Sequence, residues 1–162
     1  MKHRSSGSGV SIAVIIIAVV ALILATAIII ISSTIQSRTT LNMGDGVFTA
    51  KLATTPAQRD TGLGDVTTLA IDQAIILAYP SDSKWPISVI GTKPAVDIIW
   101  VNKDNKIVYI VTDASPETST KTVFAPKTNA RYVIEVAAGS VGNLNIKVDT
   151  TAVFDISGVE IK

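Results

Sequence analysis

Three ionisable residues stand where an ionic group is costly. Asp97 sits at the mouth of the apolar run from Val96 to Asn102, Glu135 lies inside the run from Arg131 to Val136, and Arg59 comes just after Thr55-Pro56-Ala57-Gln58. A buried carboxylate without a partner costs about several kcal/mol, so something must satisfy each one. A guanidinium can grip a carboxylate through two parallel hydrogen bonds, which makes Arg59 the expected partner of Asp97. Such a trio is open to three chemistries. It can be an internal network that fixes a helix and loops onto a sheet. It can line a pocket for a small polar ligand such as a sugar, with Lys93 and Trp85 as further contacts. Or Asp97 and Glu135 can act as acid and base on a glycosidic bond, provided their separation suits.

Other reactive groups are few. The chain has no cysteine, which removes thiol catalysis and cysteine metal sites, and outside the cytoplasm it must hold together by packing alone. Its one histidine is His3, in what is expected to be a cytoplasmic tail, which removes histidine acid/base work and metal ligation from the outer domain. Ser88, Ser115 and Ser119 therefore lack an activating histidine. Asp104, Asp113 and Glu117 fall in loops as solvated acids, and no calcium loop with acids at alternate positions occurs. No cofactor or metal is expected, and the balance favours a binding module over an enzyme. Trp100, within an apolar strand, reads as core, whereas Trp85 beside Pro86 in a polar loop is the better surface contact.

The elements that must carry these groups come after a long apolar segment. Mean hydropathy is +0.46, and the excess is concentrated: from Val10 to Ile31 the chain reads VSIAVIIIAVVALILATAIIII without a charge, and apolar character continues to Ile35. About 20 such residues suffice to cross the hydrocarbon core, and no polar stripe marks a face. Ala25-Thr26-Ala27 resembles a signal cleavage site, but Ile28 to Ile31 come immediately after it, which argues for a retained anchor. Lys2, His3 and Arg4 precede the span and Arg38 lies beyond it, so the start is expected in the cytoplasm. The expected divisions are a cytoplasmic tail over 1–9, a single transmembrane helix over 10–35, a polar tether over 36–45 and an extracytoplasmic β-rich domain over 46–162. Ser11, Ala18, Ala25 and Ser32 recur every seventh residue, a seam along which a second copy could approach.

The outer domain reads mainly as strand. Runs rich in Val, Ile and aromatic residues occur at Val47–Leu52, Ala74–Tyr79, Ile87–Ile90, Val96–Asn102, Ile107–Thr112, Thr122–Phe124, Arg131–Val136 and Ala152–Ile156. The spacing predicts a small barrel or sandwich with one or two short helices. Asn102-Lys103-Asp104-Asn105 reads as a tight hairpin turn. Thr55 with Pro56 and Gln58 forms a capping box that Gly62 can terminate, and Ser140 is a candidate cap for one further turn. On the strand, Asp97 shares a face with Ile99 and Val101 while Val96, Ile98 and Trp100 face the other way, so this strand is expected to be central. Glu135 is likewise flanked on its face by Val133 and Ala137. Of the 14 basic residues, Lys2, Arg4 and Arg38 precede Thr39, leaving 11 against 13 acids; a nucleic-acid footprint is missing.

Several blocks, in order, resemble the domain of unknown function 192 family: Ala53-Thr54-Thr55 with Arg59, Gly62 and Leu63; AIILAYP from Ala74 to Pro80; Gly91 and VDIIWVN from Val96 to Asn102; and YVIEVAAG from Tyr132 to Gly139. The resemblance covers about Val47 to Thr151. It implies a compact, mainly β domain, often secreted or membrane-tethered in bacteria and archaea, with no agreed activity. The chain departs from the family pattern where Gly64-Asp65-Val66 succeed Leu63, where Val89 and Ile90 replace a Met-Lys pair, and where Ala95 replaces proline. Lys93 stands close in sequence to the lost lysine. Two readings result: a membrane-tethered binding or accessory module of the cell envelope, taking a small polar ligand or an envelope protein, or an envelope hydrolase acting on carbohydrate through Asp97 and Glu135.

Overall fold

The computed structural model describes residues 11–34, 37–115, 117 and 123–162, with the side chains of the first segment described as far as Thr26. The basic start (Lys2, His3, Arg4), the side chain of Ser32, and Ser119 and Thr122 lie outside the described residues. The chain divides into two units, with the boundary between Gln36 and Ser37.

The first unit holds one helix, α1 (Ile12–Thr34), 23 residues long and uncharged throughout. At 1.5 Å per residue it extends about 34 Å. Ser11, Ala18 and Ala25 are exposed, as are the other described side chains of this helix. Among the described residues no helix is long and apolar enough to cross a membrane, so the fold does not support the transmembrane helix expected over 10–35.

The second unit is mainly β, and its main sheet curls into a half-barrel rather than a closed barrel or sandwich. Strands β1 (Arg38–Met43), β2 (Gly46–Ala53), β3 (Gln73–Ser83), β5 (Val96–Val101), β6 (Ile107–Ala114), β8 (Ala130–Ala137) and β9 (Val153–Phe154) form one sheet in the order β6-β5-β8-β3-β2-β1-β9. β4 (Ile87–Ser88) pairs with β7 (Val123–Phe124) in a small second sheet. All pairings are antiparallel except β2 with β3, which are joined through the short helix α2 (Pro56–Thr61). A bridge between Lys106 and Thr151 brings the two edges of the large sheet together at one end.

The two faces of the sheet carry separate cores, as a period of two residues along each strand requires. One face gathers Leu41, Phe48, Ile76, Ile99, Val101, Ile134 and Val136. The other gathers Ile75, Leu77, Tyr79, Ile98, Trp100 and Val133. All six residues of β5 are buried, as expected of a central strand. Trp100 is core. The hairpin at 102–105 is present, with Asn105 left-handed at φ 59° and the Asn102 side chain accepting from the main-chain N–H groups of Asp104 and Lys106.

Two expectations about local structure need correction. The tether expected over 36–45 is largely β1: Leu41 and Met43 turn into the core while Thr40 and Asn42 face out, so its polar residues are those of a strand with one solvated face. Gly44 closes the turn to β2, where a Cβ would run into the carbonyl oxygen of Leu144. The second short helix, α3 (Ser140–Asn143), is entered through Gly139 in the left-handed region, and Ser140 is its first residue rather than its cap. The Ser140 hydroxyl is buried with no hydrogen-bond partner among the described residues.

Candidate ligand cleft

The site begins with the capping box. Gln58 N–H donates to Thr55 Oγ1 at 3.3 Å, and Gln58 Oε1 accepts from the Thr55 and Thr54 N–H groups at 3.2 and 2.9 Å. This fixes the first turn of α2 and the direction of the next side chain, Arg59. Arg59 Nη1 donates to the carbonyls of Thr54 and Ala78, both at 2.9 Å, and Nη2 donates to the main-chain oxygen of Lys162 at 2.7 Å. The guanidinium lies 4.9 Å from the centroid of the Tyr79 ring, and Trp85 stacks on the same ring at 4.0 Å with 9° between planes. The result is a three-layer pile of guanidinium, phenol and indole.

The loop bearing Trp85 is clamped from both sides. Its Nε1 donates to Ser81 O at 3.1 Å, and the core Trp100 Nε1 donates to the Trp85 carbonyl at 2.9 Å. Upstream, β3 loses register with β8 between Ala78 and Ser83, where Pro80 has no N–H to offer the ladder. Arg131 Nε meets Asp82 Oδ1 at 2.6 Å across this irregular stretch.

Between α2 and this loop lies a cleft of about 730 Å³, and Glu135 lines it together with Arg59, Leu77, Tyr79, Trp85 and Ile87. Glu135 stands on β8 opposite Ile75 of β3 and Ile98 of β5. It is 6% exposed, and among the described residues it has no hydrogen bond or ion pair. Burial, which penalises the charged form, pushes its carboxyl up to about 7. Burial likewise raises the Tyr79 hydroxyl, an effect that Arg59 opposes and Glu135 and Asp60 reinforce.

Asp97 is elsewhere. Its register partner on β8 is Val136, so its side chain points to the face opposite that of Glu135. It is fully buried, and its oxygens accept from the main-chain N–H of Asp113 and of Val141, each at 2.9 Å. Both partners have a local cause. β6 carries an extra residue opposite Asp97, since Val96 pairs with Ala114 and Ile98 with Val111. Asp113, left-handed at φ 53°, has its N–H outside the ladder, where the Asp97 carboxylate takes it up. Val141 lies in the first turn of α3, whose donors lack intrahelical partners. Asp97 therefore serves as a remote cap, and the expected pairing with Arg59 is not formed. Acid and base roles for Asp97 and Glu135 on one bond are excluded by the same geometry, because a sheet separates them.

Of the five expected contacts, the fold brings together Arg59, Glu135 and Trp85. Asp97 is removed to the other face, and Lys93 lies in a loop whose neighbours Gly91 and Thr92 line the cleft but which does not itself do so. Tyr79 is the contact that sequence reasoning misses. The alternation Ile75, Leu77, Tyr79 along β3 carries the signal, once Glu135 is known to sit across from Ile75. Among the described residues no cluster of three metal-ligating side chains occurs.

A family model described as an uncharacterized ACR, domain of unknown function 192, matches residues 38–154. The chain belongs to this DUF192 family. The DUF192 domain thus begins with β1, inside the stretch that composition alone presents as a tether. A crystal structure of a putative transcription regulator from Sinorhizobium meliloti is similar with TM-score 0.65 and 21% identity, over 74% of this chain and 94% of that one. A protein of unknown function from Novosphingobium aromaticivorans is similar with TM-score 0.65 and 23% identity, over 73% and 84%. At such identities the likeness speaks for the DUF192 fold alone. No curated protein shows significant similarity to the chain.

Proposed function

We propose that this DUF192 chain is a single-pass, membrane-tethered binding module of the cell envelope, its start in the cytoplasm and its β domain outside, holding a small polar ligand in the cleft of Arg59, Tyr79, Trp85 and Glu135. The observation that carries the binding reading is Glu135: a nearly buried carboxyl, without a protein partner among the described residues, on the wall of an open cleft. Architecture alone gives no reason to leave such a group unsatisfied, as the treatment of Asp97 illustrates. An apolar cleft with few convergent polar groups is the usual form of a small-molecule site.

Support for the tether comes from α1. A helix that is apolar all round and exposed, as Ile12, Ile17 and Leu22 are, leaves a surface that water disfavours and lipid accepts. The lysines and arginines before and after it set the orientation.

The binding reading is tested with the full chain in detergent, by tracking the Trp85 resonance during titration with glucose and with L-phenylalanine as probes. Perturbation by either probe is expected; silence with both overturns the reading. For the tether, the chain is expected in the membrane fraction after lysis and to resist alkaline washing. Recovery without detergent, or a mature start near Ile28, overturns it.

A further inference from the structure

We infer that the cleft accepts an amino-acid-type zwitterion, a small molecule with one ammonium, one carboxylate and an apolar body. This rests on the proposed role as a binding module and narrows its ligand.

The case is one of unused bonding capacity. An ionised carboxylate only accepts hydrogen bonds, and the Glu135 carboxylate accepts none among the described residues while being 6% exposed. A hydroxyl would occupy it, but only a cation both occupies and neutralises it. Arg59 is the complementary case. A guanidinium has five N–H donors, and three hydrogen bonds from Arg59 reach main-chain oxygens, those of Thr54, Ala78 and Lys162. Donors therefore remain, and no Asp or Glu side chain pairs with Arg59 among the described residues, which suits a ligand carboxylate. These two groups line the same cleft, yet among the described residues no ion pair joins them. Had the site evolved only to hold the fold together, joining them would satisfy both. A zwitterion satisfies both at once and adds no net charge to the cleft.

The remaining wall sets the body of the ligand. Leu63, Leu77, Pro86 and Ile87 present apolar surface beside the Trp85 ring, matched by an apolar side chain rather than by the hydroxyl-rich edges of a sugar. The ionisable groups around Glu135 are Tyr79 from β3, Arg59 and Asp60 from α2, and Lys162 from the C-terminal segment. None contributes to its raised pKa, which burial alone produces. Because the ligand ammonium pairs with the ionised form, affinity rises with pH until Glu135 is deprotonated.

The test is isothermal titration of the full chain in detergent at pH 8 and pH 6. The probes are L-phenylalanine, phenethylamine (ammonium only), 3-phenylpropionate (carboxylate only) and glucose. L-phenylalanine is expected to bind at pH 8, with either singly charged analogue about tenfold weaker or worse. Its affinity should fall about tenfold at pH 6, where a group titrating at about 7 is mostly protonated. Glu135→Gln should weaken it about tenfold and abolish the pH dependence, and the wild-type pH profile stands as evidence even if that variant folds poorly. Glucose binding without L-phenylalanine binding overturns the zwitterion and leaves the binding module intact. Equal affinity for phenethylamine, or no pH dependence, also overturns it. If no probe binds, both readings fall.

Discussion

Two carboxyls are buried on opposite faces of one sheet, one residue apart in register, and they are treated in opposite ways. Asp97 is enclosed and receives two main-chain N–H groups, one from a bulge and one from a helix start. Glu135 faces a cleft and receives none among the described residues. A fold that needs a buried acid surrounds it with donors, because an unsatisfied group costs it stability. Where an acid is left without them beside open space, the cost in the free protein is met by holding a proton, or by a partner that enters the cleft. Burial of a charged group is thus a poor indicator of function by itself. Its hydrogen-bond partners separate the two cases.

The contrast can be broken most forcefully at Asp97. Asp97→Ala strips the acceptors from two main-chain N–H groups and opens a gap at a fully buried position, and a loss of about 4 kcal/mol is expected from urea unfolding of the full chain in detergent. Asp97→Asn, which retains one acceptor oxygen, should fall between that and wild type. A loss within experimental error would mean that Asp97 is not the cap the geometry assigns.

At Glu135 the expected effect is a pH dependence. Its carboxyl titrates near 4.5 when unfolded and at about 7 when folded, so between these values the folded state holds the extra proton. Stability contributed by this group is complete below about pH 4.5, declines as pH rises, and levels off above about 7, with a total change of about 3 kcal/mol. Glu135→Gln should flatten this slope and match or exceed wild-type stability at pH 8. The same comparison of urea midpoints at pH 5 and pH 8 checks both statements.

Smaller effects come from the residues that shape the cleft. Arg59→Ala removes three hydrogen bonds to main-chain oxygens and one layer of the aromatic pile, and about 2 kcal/mol is expected for a half-buried group of this kind. Thr55→Ala removes the cap of α2 and should cost about 1 kcal/mol. Lys93→Ala, in a loop beside the cleft, should change the midpoint by less than about 0.5 kcal/mol and leave ligand binding unaltered.

Much of this contrast is visible in the amino-acid order, but not its decisive part. Runs rich in Val, Ile and aromatic residues announce the buried strands, and Thr55, Pro56 and Gln58 announce α2 with its cap. β1 escapes notice because Arg38, Thr39, Thr40 and Asn42 outnumber its two core residues, and the partner strands that bury Leu41 and Met43 come later in the chain. The donors that satisfy Asp97 are main-chain groups at a bulge and a helix start. Every residue but proline carries such a donor, so side-chain identities point instead to Arg59. The separation of Asp97 from Glu135 depends on inter-strand register, since a shift of one residue would have placed both on one face. Arg59 and Glu135 stand out in the sequence as chemically unusual residues, but their meeting at one cleft depends on the β3–β8 pairing and the anchoring of α2.

The most direct test of the difference between the two faces is a carbon-13 NMR titration of the full chain labelled at glutamate. The chain has only three glutamates, Glu117, Glu135 and Glu160, so each carboxyl can be tracked individually and assigned by substitution. The expected result is one resonance with a midpoint near 7 that disappears in Glu135→Gln. A Glu135 midpoint near 4.5 would mean that this carboxyl is well solvated or paired, and a cleft that desolvates its acid would be contradicted.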